Sequence, residues 1–256
     1  MPAFLTESAL LAHGLVSIGE DALLESWPSG LENIAWVDGG EICIGGMERF
    51  LPFRRRAEGL LRIDWESLAA ALAEGASGAL TASGTMAVCH RMELPLAVSC
   101  GIGGIGDIRA ESLCPDLPAL QALPVTLLAT AFKDVLDIPA SICWLRAHEV
   151  PIYAVGDRRC TGYLFQSADV PIGSLFTGKL PERPGGLILN PIPAEKRIDD
   201  IRLLAEGIAA GKQAEAEGRY YHPAANAAFD HATGGRSSRI QLESLVKNVL
   251  LAETLL

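Results

Sequence analysis

The chain has 256 residues, 21 basic and 31 acidic, for a formal net charge of −10. Hydrophobic residues make up 49% and charged residues 20%, which suits a large aliphatic core and argues against wholesale disorder. The acidic balance argues against a nucleic-acid backbone as the main partner, and no apolar run reaches the roughly 18 residues that a bilayer span needs.

The N-terminus has no basic segment and carries Glu7 where a signal peptide would be apolar, so a cytoplasmic protein is expected. Residues 4–12 read as a short apolar strand containing Glu7 and closed by His13-Gly14. Asn33–Val37 and Glu41–Ile44 flank Asp38-Gly39-Gly40, a hairpin signal. Leu51–Arg56 reads as a basic turn. Helices are expected from Asp64 to Glu74, ended by Gly75, and from Thr81 to Arg91, followed by a buried strand over Leu94–Cys100. A glycine-rich loop and a proline-punctuated stretch lead to Pro124. Strand Val125–Thr130, helix Ile138–His148 and strand Pro151–Val155 have the order and spacing of a βαβ crossover. Leu187–Leu189 is one more strand, stopped by Asn190-Pro191-Ile192-Pro193, and helices over Ile198–Gly218 and Ser238–Leu255 close the chain. No repeat or linker interrupts it. The expectation is one α/β domain over residues 1–256 with a mostly parallel sheet.

Among candidate sites, Gly101-Ile102-Gly103-Gly104-Ile105-Gly106 matches G-x-G-x-x-G. Pro115 and Pro118 prevent the long helix that a dinucleotide fold needs, and the next strand ends without an acid. Two readings remain: backbone N–H groups facing an anion, or glycines needed for close packing. Lys133 lies just past the end of a buried strand, the edge where α/β sheets bind ligands. Apolar neighbours and a following helix N-terminus disfavour an ammonium there, leaving neutral amine to attack a carbonyl or anomeric carbon. Asp134 and Asp137 work against this if close, and a rim lysine with its head in water is the plain alternative. Glu7, a lone carboxylate in an apolar segment, becomes a general acid if partly buried. Asp116 is a loop acid suited to hydroxyls, a cation or a helix cap. Arg54, Arg55 and Arg56 suit a phosphate or, more simply, a solvated basic face. The six cysteines contain no C-x-x-C and the five histidines are scattered, so reduced thiols and no zinc centre are expected.

Several segments, in order along the chain, resemble the pseudouridine-5′-phosphate glycosidase family. They are Glu7-Ser8-Ala9-Leu10-Leu11-Ala12-His13-Gly14, Gly101-Ile102-Gly103-Gly104, Cys114-Pro115-Asp116-Leu117, and Phe132-Lys133-Asp134-Val135-Leu136-Asp137-Ile138-Pro139. Asn190-Pro191-Ile192-Pro193, Thr233-Gly234-Gly235-Arg236-Ser237 and Leu245-Val246-Lys247-Asn248 complete the set. The resemblance implies an α/β/α layered domain that forms trimers. It implies a nucleotide or sugar-phosphate substrate, with Lys133 as the Schiff-base nucleophile at C1′ and Glu7 as the proton shuttle. Arg62, Ala82, Ser99, Cys114, Pro115, Asp116 and Gln241 would bind substrate.

Departures from the family pattern fall in the binding shell. Arg62 stands for the family's lysine, Cys114 for its serine and Gln241 for its asparagine, so charge or polarity is kept but geometry is not. The family's Mn²⁺ aspartate appears as Ser112, with Glu111 as the substitute within reach, so a metal is expected to be weakly bound or unnecessary. Three functions stay open: cleavage or formation of the C–C bond between a nucleobase and ribose 5-phosphate, the same chemistry on another base or sugar phosphate, and a non-catalytic paralogue that binds a ligand.

Overall fold

The computed structural model describes residues 2–108 and 112–256. From the N-terminus come β1 (Leu5–Thr6), α1 (Ala9–His13), α2 (Glu20–Ser26), β2 (Ile34–Asp38), β3 (Glu41–Gly45), α3 (Met47–Arg54), β4 (Leu61–Ile63) and α4 (Leu68–Ala73). Next are β5 (Gly78–Leu80), α5 (Ala82–Arg91), β6 (Leu96–Val98), β7 (Gly101–Ile102), α6 (Asp116–Ala122), β8 (Thr126–Ala129), β9 (Ala131–Phe132) and α7 (Ile138–Ala147). The C-terminal part adds β10 (Ile152–Ala154), β11 (Arg159–Cys160), β12 (Val170–Pro171), β13 (Ser174–Leu175), β14 (Leu187–Leu189), α8 (Arg202–Ala216), α9 (Tyr221–Ala232) and α10 (Arg236–Leu255).

Among the described residues, ten strands form one sheet in the order β13-β10-β14-β8-β6-β1-β2-β5-β4, with β3 also on β2. Every pairing in it is parallel except those of β2 with β3 and β5. Strand side chains alternate between two cores: Leu127 and Ala129 pack with α5, α6 and α7 on one face, while Leu128 packs with α3, α9 and α10 on the other. The layering is α/β/α, as the sequence leads one to expect. The βαβ unit is present, but β14 lies between β8 and β10, because the sheet takes up a later strand in the gap.

Other expectations need correction. Residues 4–12 are not one strand: β1 ends at Thr6, the Ser8 hydroxyl accepts the Leu80 N–H at 2.9 Å, and the Ala12 N–H then donates to the Ser8 carbonyl to open α1. A short apolar run does not reveal its period, so helix and strand look alike there. The basic turn at Leu51–Arg56 is largely helix α3, despite Pro52, because Phe50 and Phe53 bury their rings against Trp36. The Asp64–Glu74 helix begins later, at Leu68, with Asp64 capping the preceding turn through Ser67 at 2.8 Å. Helix α9 falls in a stretch to which the sequence reading assigns no element. It packs on α8 where Gly207 and Gly211 leave room for the Phe229 and Tyr221 rings, since a Cβ at either glycine would lie 2.1 or 2.6 Å from a ring carbon. The turn into α10 uses Gly234 and Gly235 at φ 57° and 81°, left-handed values suited to glycine.

Helix α10 is fastened to the sheet by Asn248, which is fully buried. Its amide nitrogen donates to the Ser99 carbonyl at 2.8 Å and to the Thr130 hydroxyl at 3.0 Å, and its oxygen accepts from Asn190 at 2.9 Å. Those partners directly follow β6, β8 and β14. Asn248→Ala strands several buried groups at about 1–3 kcal/mol each, so denaturant unfolding is expected to show a loss of about 3 kcal/mol or more.

Candidate active site

The cleft lies at the carboxyl ends of the parallel strands, where open α/β sheets place ligands. Glu7 is the first residue after β1, and its N–H donates to the Val98 carbonyl at 2.9 Å. Only 6% of it is exposed, and its Oε1 accepts the Cys100 N–H at 3.1 Å. Burial pushes the carboxyl above its usual value, while the Lys133 cation and the Cys100 N–H act in the opposite direction.

Lys133 follows β9, and its N–H donates to the Ile102 carbonyl at 3.1 Å. The pairing of β7 with β9 brings Gly101 under it. A Cβ on Gly101 would lie 2.8 Å from the Tyr163 ring and 3.1 Å from Lys133 Cγ, so glycine is needed for the lysine stem and the ring to close over the backbone. The acids near Lys133 in sequence are used as structural acceptors. Asp134 accepts the N–H groups of Tyr163, Leu164 and Phe165 at 2.8, 2.7 and 3.1 Å. Asp137 caps α7 by accepting the Ala140 N–H at 2.9 Å.

Two lobes meet at this pair. The wider, about 620 Å³ and partly open to solvent, is lined by Leu10, Tyr163, His222, Asn226, Phe229 and Gln241 among others. The narrower, about 360 Å³, is lined by Asp64, Thr81, Ala82, Ser83, Cys114, Pro115 and Asp116. Glu7, Arg62, Gly101 and Lys133 line both.

The structure thus brings Glu7, Lys133, Arg62, Ala82, Cys114, Pro115, Asp116 and Gln241 to one cleft. Ser99 is a correction: it is fully buried behind Glu7 and lines neither lobe, because it immediately follows the core strand β6. Asp116 is in the wall, but its oxygens accept the Ser83 N–H at 3.0 Å and the Gly103 N–H at 2.8 Å. Glycine-loop donors are engaged internally in the same way, Ile105 on the Ser141 hydroxyl at 2.8 Å and Gly106 on the Ser112 carbonyl at 3.3 Å. A Cβ at Gly103, Gly104 or Gly106 would also lie within 2.8 Å of Cys114, Ser141 or Leu136, which favours the close-packing reading of this loop. The arginine run holds no phosphate site either. Arg54 donates to the carbonyls of Leu11, Leu15 and Ile18, Arg55 pairs with Glu20, and Arg56 pairs with Asp38.

Sequence reasoning missed Tyr163, His222, Asn226 and Phe229. The last three lie on one face of α9 at helical spacing, with Ala225, a pattern readable only once that stretch is known to be helix. Tyr163 sits in a loop without a periodic signal.

The family model for indigoidine synthase A-like proteins matches residues 32–255. The chain belongs to that family. Relatives named pseudouridine-5′-phosphate glycosidase agree with the motif resemblance. One from Saccharopolyspora erythraea is 26% identical over 280 residues, covering 99% of this chain and 91% of that protein. Another, from Methylobacterium nodulans, is 27% identical over 239 residues, covering 87% and 71%. Two solved structures share the fold. An indigoidine synthase A-like protein from Thermotoga maritima superposes with a TM-score of 0.81 at 21% identity, covering 98% of this chain and 92% of that one. The prealnumycin C-glycosynthase AlnA, in complex with ribulose 5-phosphate, gives 0.73 at 22% identity, covering 99% and 91%. This chain is a divergent member of the family.

The Mn²⁺ that the motif resemblance implies does not fit the described residues. Among them no group of three or more His, Cys, Asp or Glu side chains is placed to hold a metal ion, Ser112 brings no carboxylate, and Asp116 is occupied by backbone donors. Glu111 lies outside the described residues. Separately, no helix among them is long and apolar enough to cross a membrane.

Glu7 links this family member's stability to pH. With its carboxyl raised above 4.5, the folded chain binds that proton more tightly than the unfolded chain. The stability so gained is present below 4.5 and is lost as pH rises through the raised value. Glu7→Gln is therefore expected to gain stability relative to the parent between pH 4.5 and neutrality, by about 1.4 kcal/mol for each tenfold by which folding tightens the proton. Thermal denaturation across that range checks it.

Proposed function

We propose that the protein cleaves, or in reverse forms, the C–C glycosidic bond between a nucleobase and ribose 5-phosphate through a Schiff base on Lys133. The observation that carries this reading is the meeting of both lobes at Glu7 and Lys133. A base in the wider lobe and a sugar phosphate in the narrower one would place the bond between them at the amine and the carboxyl. The names of the relatives support the substrate class.

The chemistry follows from those groups. A carbon leaving group has no lone pair to protonate, so the bond breaks only with an electron source at C1′. Lys133 passes a proton to Glu7 and attacks C1′ as the free amine; the C1′–O4′ bond breaks, and O4′ takes the proton shed by the alkylated nitrogen. The nitrogen lone pair then forms the C=N bond as the C–C bond breaks. The departing base carbon keeps that electron pair and receives a proton from Glu7. Water adds to the imine carbon and restores the amine as open-chain ribose 5-phosphate departs. Arg62, lining both lobes, supplies positive charge for the phosphate. Ala82, Cys114 and Pro115 shape the sugar side.

Borohydride is expected to trap ribose 5-phosphate on Lys133 as a secondary amine, read by peptide mapping. Lys133→Arg abolishes trapping, since a guanidinium stays protonated. Glu7→Gln keeps some trapping while turnover falls by about 10²–10⁴-fold. An adduct on Lys179, Lys196, Lys212 or Lys247, or active enzyme without any adduct, defeats the mechanism. By resemblance, we also propose a cytoplasmic homotrimer. Light scattering at about micromolar concentration is expected to give three times the chain mass, and a monomer refutes the assembly.

A further inference from the structure

Gln241 reaches the wider lobe from α10 and is 1% exposed. Its amide oxygen accepts a hydrogen bond from the Tyr163 hydroxyl at 3.3 Å. Its amide nitrogen is buried without a partner in the protein. An unmet buried donor costs about 1–3 kcal/mol, and one on a cleft wall is a donor held ready for a ligand acceptor.

The Tyr163 hydroxyl has a second neighbour, the Cys100 sulfur at 2.8 Å. A phenol has one proton to give. The amide oxygen is a strong acceptor and a thiol sulfur a weak one, so the proton goes to Gln241. The thiol keeps its own proton for the phenol oxygen or for the Gln241 main-chain carbonyl, 3.3 Å away. Burial keeps both groups protonated near neutrality, pushing Cys100 up to about 11 and Tyr163 well above its usual value. The amide oxygen is thereby engaged, which leaves the unmatched amide nitrogen as the free donor of a side chain that lines the wider lobe.

We propose that Tyr163 is a positioning residue that locks the Gln241 amide nitrogen toward the wider lobe, so that this lobe selects a base presenting a ring carbonyl there over its amino counterpart. The inference rests on the C-glycosidic reading and deepens it. Without the phenol hydroxyl, the amide turns freely and offers a carbonyl as readily as an N–H.

The test measures binding of uracil, cytosine and isocytosine by calorimetry in saturating ribose 5-phosphate. Cytosine and isocytosine each exchange a different uracil carbonyl for an amino group. The parent protein is expected to bind one of these two roughly tenfold or more weakly than uracil, because an unmatched buried donor penalises the wrong base. Tyr163→Phe is expected to bring that ratio within about threefold, and Gln241→Leu to do the same. A purely structural tyrosine would weaken all bases alike and leave the ratio intact. An unchanged ratio in Tyr163→Phe, or equal binding of all bases by the parent, overturns the proposal. If Tyr163→Phe does not fold, retained discrimination in Gln241→Leu overturns it. Borohydride trapping on the parent separates the two levels: trapping without base preference defeats this inference alone, and absence of both trapping and base binding defeats the C-glycosidic reading and the inference with it.

Discussion

One buried asparagine sets the frame of the cleft. Asn248 joins the carboxyl ends of β6, β8 and β14 to the last helix, and the reactive groups stand on residues just beyond strand ends of this sheet. Cys100, one residue past the Ser99 carbonyl that Asn248 holds, donates its N–H to Glu7 and sets its thiol beside the Tyr163 hydroxyl. Thr130, held by the same amide, leads into β9 and so into Lys133. One side chain thus ties together strand ends that lead to the acid and the amine, whose own positions are set by backbone bonds to Val98 and Ile102. Such a seam is stabilising only when nearly all of its polar groups are matched. Ser244, bonded to Thr130 and close to Cys100, extends it along α10.

The electrostatic arrangement has the opposite character. Glu7 is withdrawn from water with one backbone donor and a nearby cation in place of full hydration. That is unfavourable for folding and useful for proton transfer, since burial raises the carboxyl's affinity for a proton. Asp134 shows the other outcome of burial. Surrounded by backbone donors and a serine hydroxyl, it shapes the turn that presents Tyr163.

The parts of the fold legible in the sequence are those with strong local signals. The hairpin at Asp38-Gly39-Gly40, helix α5 with its Thr81 cap, and the run from β8 through α7 are readable because turn residues, caps and apolar runs agree. Glu7 stands out although its segment reads as strand, since a lone acid among apolar residues is conspicuous in either setting. Features that depend on distant partners stay hidden. The fate of the glycine-loop donors is decided by Asp116 and Ser141, and that of the arginines by α1 carbonyls and by two acids on other elements. Helix α9 is alanine-rich and only weakly patterned, and its place is set by the glycines of α8. Its cleft face is hidden with it.

That last element has a consequence for the cleft. The floor of the cleft is strand-end backbone locked into the sheet, whereas much of the wider lobe is the inner face of α9, through His222, Asn226 and Phe229. A change at Asn226 reshapes what the lobe admits without touching the bonds that hold Glu7 and Lys133. Phe229 is less free, because its ring is socketed at Gly207. What the lobe admits can therefore change through a helix at the margin of the fold, while the sheet that holds Glu7 and Lys133 stays as it is.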